Sequence, residues 1–144
     1  HERLEIAEVA WTYAVGKDKN PVTKYHQSPP ANVPLVLWMK LKGRRGTLDK
    51  LWKRQGKLGI WHLWYHDNQP VEQIYLDLGT SETLGQLFSE ISLSGDGTFT
   101  WRAWSKKLIG ASGGRGLWRV RVLYDDMTPV MCEFQVCEYS ILVK

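Results

Sequence analysis

Arginine and tryptophan recur together along this chain, and both side chains recognise ligands through flat faces. The chain contains eight tryptophans, more than the core of one small domain can absorb. Trp104 stands two residues after Arg102, a spacing that places both side chains on one face of a strand. Exposed tryptophan rings stack on sugars or on partner side chains, and arginine forks pair with carboxylates and phosphates. In the alternative interpretation, arginine stems cover the rings by cation–π contact and bind no ligand.

A basic, tryptophan-bearing sheet face is therefore predicted as the functional surface. Strands at residues 58–66, 98–105 and 117–124 contribute to it. The expected ligand-binding residues are His62, Trp64, Arg102, Trp104, Arg119 and Arg121. Because a short loop joins the strands of Arg102 and Arg119, we expect these strands to pair, with arginine–tryptophan stacking and at most one ion pair. A structure with these two arginines on opposite sheets would contradict a common site.

The distribution of charge agrees with an anionic partner. The net charge is only +4, but residues 40–57 carry +7 and residues 98–124 carry +6, which leaves −9 for the remainder. On a shared face, these two segments would attract an anionic glycan, a lipid headgroup or an envelope protein partner. In the alternative, they are two solvated edges that never meet. Nucleic acid is disfavoured, because the chain has 15 acidic residues and no recognition signature.

His1 supports a second hypothesis, that of a copper-dependent polysaccharide oxidase. An N-terminal histidine can bind copper through its amine and its imidazole, and a second ligand would come from His26, His62 or His66. The charged residues that follow His1 are not expected to belong to a signal peptide, and they favour instead a tag or a cleavage remnant. The chain has no nucleophile elbow, zinc-protease motif or phosphate loop. We therefore expect a non-catalytic binding module without a cofactor.

The elements that must position these residues are mostly strands, because apolar residues alternate with a period of two. Strands are predicted at residues 3–15, 35–41, 58–66, 71–78, 87–93, 98–105, 117–124 and 130–137. The alternation of the first strand changes phase, which a bulge near Ala7 and Glu8 or a strand that switches between sheets would explain. A short amphipathic helix is predicted at 47–55, and the polar segment 16–32 is expected to cross one end of the fold. The pattern predicts a single antiparallel β-sandwich over residues 1–144 with one helical insert.

Strand alternation also predicts which side chains face the core. The inward sets are Leu35, Leu37, Met39 and Leu41; Trp118, Val120 and Val122; and Val130, Cys132, Phe134 and Val136. Trp38 belongs to the outward parity of its strand, and either Trp61 or Trp64 joins the core. Alternation alone does not decide between these two tryptophans.

The two cysteines, Cys132 and Cys137, fall within the last predicted strand. Five residues of extended chain separate their Cα atoms by roughly 16 Å. A disulfide needs less than about 7 Å, so the pair is expected to be reduced unless the strand breaks between them. The redox compartment is left open at this point.

Four motifs occur in a recognisable order from residue 33 onward. They are His62-Leu63-Trp64-Tyr65, Trp101 to Lys107, Gly116 to Val120, and Phe134 to Val136. Their order resembles the bacterial domain of unknown function family 2914. The resemblance implies an immunoglobulin-like domain without established activity, in a periplasmic or other extracytoplasmic protein that is attached to the membrane through a segment outside this chain. The chain departs from the family pattern near residues 47–57 and 79–97.

Overall fold

The computed structural model describes residues 4–55, 57–79, 98–110 and 113–144. Within these ranges the chain forms ten strands and one helix. In chain order they are β1 (Glu5–Val15), β2 (Pro21–Lys24), β3 (Pro34–Arg44), α1 (Arg45–Gln55), β4 (Leu58–His66), β5 (Gln69–Gly79), β6 (Thr98–Leu108), β7 (Gly116–Tyr124), β8 (Met131–Cys132), β9 (Gln135–Val136) and β10 (Glu138–Val143). The predicted strand at 87–93 lies outside the described residues.

Two antiparallel four-stranded sheets pack face to face. The first sheet has the order β2-β1-β3-β6 and the second has the order β10-β7-β4-β5. Strands β1, β3 and β6 take the A, B and E positions of an immunoglobulin sandwich, and β10, β7, β4 and β5 take the G, F, C and C′ positions. The predicted all-β sandwich with one short helix is confirmed.

The core between the sheets follows the predicted alternation in its two central strands. The inward residues of β3, which include Leu35 and Leu37, are fully buried, as are Val120 and Val122 of β7. The predicted helix falls inside α1, which buries two leucines against the end of the sandwich. The change of phase in β1 is a bulge between Ile6 and Glu8, which is the first of the two predicted explanations.

Trp38 departs from the alternation prediction, because it is buried although it belongs to the outer parity of β3. Its relative exposure is 2%, and its indole N–H donates a hydrogen bond to the Lys19 carbonyl oxygen at 2.9 Å. Lys19 belongs to the turn between β1 and β2, so this turn covers the outer face of the first sheet at Trp38. Strand β2 was not predicted, and it forms within the predicted 16–32 connection.

The segment 130–137 is not one strand, and the prediction of two separate thiols is wrong. Residues 131–136 form a hairpin of β8 and β9, in which Glu133 and Phe134 have φ angles of 44° and 35°. This reversal brings the Cα atoms of Cys132 and Cys137 to 4.9 Å, and the two residues form a disulfide. Phe134, which was predicted to face the core, is fully exposed at the hairpin turn. We call residues 131–136 the disulfide hairpin.

Loss of this disulfide should lower the free energy of unfolding by about 2 kcal/mol, because the bridge closes a short loop in the unfolded chain. Urea unfolding of the wild type with and without a reductant measures this change. The Cys132→Ser variant should show the lower stability in both conditions. A wild-type unfolding curve that does not respond to the reductant would show that the bridge does not form.

Candidate functional site

The six residues predicted to form one basic face occupy three separate places. Arg102 and Trp104 lie on β6 in the first sheet, and Arg119 and Arg121 lie on β7 in the second. His62 and Trp64 are fully buried in the core between the sheets. The prediction of a common face is therefore wrong.

The arginines of β6 and β7 are separated because of the path that the chain takes between these two strands. The prediction assumed that consecutive strands form a hairpin, but β6 pairs with β3, and β7 pairs with β4 and β10. The connection after Leu108 thus passes from one sheet to the other. The outward side chains of β6 and β7 consequently point away from each other, on opposite sides of the molecule.

In the core, the Ser105 hydroxyl joins the two sheets. Trp64 Nε1 donates a hydrogen bond to Ser105 Oγ at 3.0 Å, and the same oxygen lies 2.5 Å from His62 Nδ1. Both contacts are satisfied when the serine hydroxyl donates to a neutral imidazole. Ser105 is 3% exposed and His62 is 0% exposed. A serine–histidine pair at this distance can serve as nucleophile and base only where substrate reaches it, and burial prevents that here.

The His62 imidazole is kept neutral by its surroundings. Burial lowers the pKa of His62 from 6.5 to about 3, because a charged ring would lose its hydration in the core. Trp64 packs at the same level, edge-on against Trp11 and Trp118, with ring centroids at 5.8 Å and 6.3 Å. These residues form the interior that holds the sheets together.

On the outer face of the second sheet, the positive charges of the two arginines of β7 are balanced by a neighbouring carboxylate. Arg119 and Arg121 each form an ion pair with a different oxygen of Glu138, at 2.7 Å and 3.1 Å. Both guanidinium groups also lie over the Tyr65 ring, at 5.2 Å and 5.7 Å from its centroid. The expected arginine–tryptophan stacking with at most one ion pair is therefore wrong. The aromatic partner is a tyrosine, and one carboxylate forms ion pairs with both arginines.

The Glu138 carboxylate is held in its charged form by this arrangement. Burial alone would raise its pKa, but the hydrogen bonds and charges of Arg119 and Arg121 outweigh burial and lower the pKa below the usual value. The arginines of β7 thus already have an anionic ligand within the chain.

The outer face of the first sheet has a different electrostatic character. We define the cationic face as Lys40, Lys42, Arg102, Trp104 and Lys106. Lys40 lies directly opposite Arg102 on the neighbouring strand, and the buried Trp38 lies opposite Trp104. Directly opposed residues of a sheet are about 5 Å apart, and like charges at that separation repel. This opposition of two cations is the observation that distinguishes the face.

Three acidic side chains lie near the cationic face, two on β1 and one in the turn between β1 and β2. Glu5 and Glu8 of β1 lie opposite Lys42 and Lys40, and the Asp18 carboxylate interacts with Arg102 through its charge. In the described part of the chain, none of the four cations forms an ion pair within 4.0 Å. Positive charge is therefore in excess along β6, where Arg102 and Lys106 are exposed.

A family model described as a protein of unknown function (DUF2914) matches residues 58–130. This is half of the chain, from the start of β4 to the residue before the disulfide hairpin. The chain belongs to this family. The DUF2914 match confirms the resemblance seen in the motifs and assigns no activity. A search of curated proteins finds no match.

Two further observations concern metals and membranes. Among the residues that the structure describes, no group of three or more His, Cys, Asp or Glu side chains is placed to hold a metal ion. His1, on which the copper hypothesis depends, lies outside these residues. No helix in the described ranges is long and apolar enough to cross a membrane.

The buried His62 should make stability depend on pH in a range where the carboxylates do not titrate. In the unfolded chain the His62 ring binds a proton near pH 6.5. In the folded chain the same ring binds a proton only near pH 3. The contribution of the neutral His62 ring to stability is thus complete above pH 6.5 and is lost as the pH falls towards 3. We expect the free energy of unfolding to drop by about 2 kcal/mol between pH 7.5 and pH 5.

Urea unfolding at these two pH values measures the drop. The His62→Gln variant should lose this drop, while His26→Gln, a change of an exposed histidine, should keep it. NMR titration of the His62 ring gives a second readout that does not require a stable variant. A His62 signal that titrates above pH 5 would contradict the prediction.

Proposed function

We propose that the chain is a non-catalytic binding module that uses the cationic face of its first sheet to bind an anionic ligand. The observation that carries the proposal is the opposition of Lys40 and Arg102 across β3 and β6. Two cations held side by side destabilise a sheet, and a bound carboxylate, sulfate or phosphate would remove the repulsion. A guanidinium fork and an ammonium group together suit such an oxyanion.

Trp104 gives this surface an apolar element beside the charges. It is half-buried, on the same face as Arg102 and two residues along the strand. A flat ring next to cations suits a sugar ring that carries an acidic group, or the glycerol region of a lipid headgroup. Both ligands present an oxyanion, so that shared chemistry defines the proposed site.

The proposed setting is the bacterial envelope. The disulfide between Cys132 and Cys137 supports this proposal, because such bonds persist in oxidising compartments such as the periplasm. The family resemblance supports the same location. An anionic glycan and an anionic membrane surface are both abundant there.

The Arg102→Ala variant should bind anionic probes about fivefold more weakly, since one cation near an anionic surface contributes about 1 kcal/mol. Heparin, polygalacturonate and phosphatidylglycerol vesicles are the probes, and binding is measured by titration at low and high salt. Binding should weaken with salt, because the contacts are between exposed charges. The probe that binds most tightly identifies the source of the oxyanion.

The matched control is Arg119→Ala, which removes the same side chain from the opposite sheet. Because Arg119 is paired with Glu138, this change should leave probe binding unaltered. The proposal would be overturned if no probe binds. It would also be overturned if Arg119→Ala loses binding while Arg102→Ala binds like the wild type.

A further inference from the structure

Phe134 is presented to solvent in a way that its local structure does not explain. Its relative exposure is 105%, the largest among the exposed apolar residues of the described chain. It occupies the second turn position of the disulfide hairpin, where both turn residues have positive φ. Such a turn favours Asn and Gly, and an aromatic residue in the left-handed region is unfavourable. A strained backbone therefore holds a bare phenyl ring in water.

The disulfide hairpin also restricts where this ring can go. The bridge between Cys132 and Cys137 closes its base, and Met131 and Cys132 pair with Val136 and Gln135. The phenyl ring is therefore presented at a fixed position, so little conformational entropy would be lost when it binds. Preorganised aromatic side chains of this kind are typical anchors of protein interfaces.

The same chain carries a cleft that suits a phenyl ring. The lateral cleft, as we name it, lies between the β1–β2 edge of the first sheet and β10 of the second. Its volume is about 400 Å³, and its lining includes Val9, Trp11, Lys24, Tyr25, His26 and Tyr139. This volume is within the range of pockets that bind small organic groups.

The aromatic rings of the lateral cleft are fixed by contacts behind them. Tyr25 donates a hydrogen bond from its hydroxyl to the Pro34 carbonyl oxygen at 2.8 Å. The Tyr139 hydroxyl lies 3.6 Å from Cys132 Sγ, and Trp11 packs edge-on against Trp64. With the hydroxyls engaged, these residues offer ring surfaces, which attract another aromatic ring in offset or edge-to-face geometry.

The charges beside the ring and beside the cleft are complementary. Glu133, next to Phe134, is exposed, and Lys24 is exposed at the rim of the lateral cleft. Within the described ranges neither forms an ion pair. An apolar ring flanked by an anion thus meets an aromatic cleft flanked by a cation.

We propose that the disulfide hairpin of one copy docks in the lateral cleft of a second copy, with Phe134 among the aromatic rings and Glu133 beside Lys24. The contact between Cys132 and Tyr139 places the hairpin and the cleft next to each other along one edge of the sandwich. Two copies can therefore exchange hairpins reciprocally, as in a two-fold dimer. Phe134 and the residues that line the lateral cleft do not belong to the cationic face, so the inference goes beyond the proposed function.

Sedimentation equilibrium of the wild type tests the proposal, at concentrations from about 10 μM to 1 mM, since a small interface associates weakly. The average mass should rise above the 16.6 kDa of one chain towards twice that value. Phe134→Ala should weaken association at least about tenfold. Leu108→Ala removes another exposed apolar side chain, of 72% relative exposure, and should associate like the wild type.

Charge reversal tests the contact between Glu133 and Lys24 specifically. Lys24→Glu and Glu133→Lys should each weaken association several-fold, whereas Lys17→Glu, on an exposed turn, should not. The double variant Lys24→Glu/Glu133→Lys should restore association, because it exchanges the two charges. This rescue would not occur if either single change acted by unfolding the chain.

A wild type that remains monomeric at the highest concentration would overturn the proposal, as would a Phe134→Ala variant that associates normally. Binding of monomeric wild type to phosphatidylglycerol vesicles through Phe134 would also overturn it, in favour of a lipid surface. The Arg102→Ala variant should associate like the wild type, which separates this inference from the proposed function.

Discussion

The Ser105 hydroxyl, on the first sheet, contacts Trp64 and His62, on the second, at the centre of the core. These contacts are buried, and a polar group in such a place must be hydrogen-bonded to be tolerated. The packing of β6 against β4 across the sandwich therefore depends on specific hydrogen bonds as well as on hydrophobic contacts. Once Ser105, His62 and Trp64 point inward, the alternation of the strands determines the direction of every neighbouring side chain. Arg102 and Trp104 must then point outward from one sheet, and Tyr65 from the other.

The two outer faces that result differ in how their charges are balanced. On the second sheet, the last strand supplies Glu138 to both arginines of β7, so the arginines contribute to stability at that face. On the first sheet, the strand that pairs with β6 is β3, and it places another cation, Lys40, opposite Arg102. Strand order, more than composition, decides which of these basic residues lie beside an acid.

Much of the fold could be predicted from the sequence, because period-two alternation is a local signal. The bounds of β4, the position of α1 and the inward residues of β3 and β7 all followed from neighbouring residues. The candidate site depended on which strands pair, and that is a long-range property. Nothing near Arg119 in the sequence indicates that Glu138 will lie beside it, nor that β6 and β7 belong to different sheets. The disulfide was missed for a related reason, since Glu133 and Phe134 are unusual residues for a tight turn.

The path of the chain from β6 to β7 also determines how substitutions combine. Arg102 and Arg119 lie on opposite sides of a packed interior and share no partner. Effects of changes at two such places on the free energy of unfolding add, because neither change alters the surroundings of the other. The two surfaces can therefore vary independently during evolution, as long as the interior is kept.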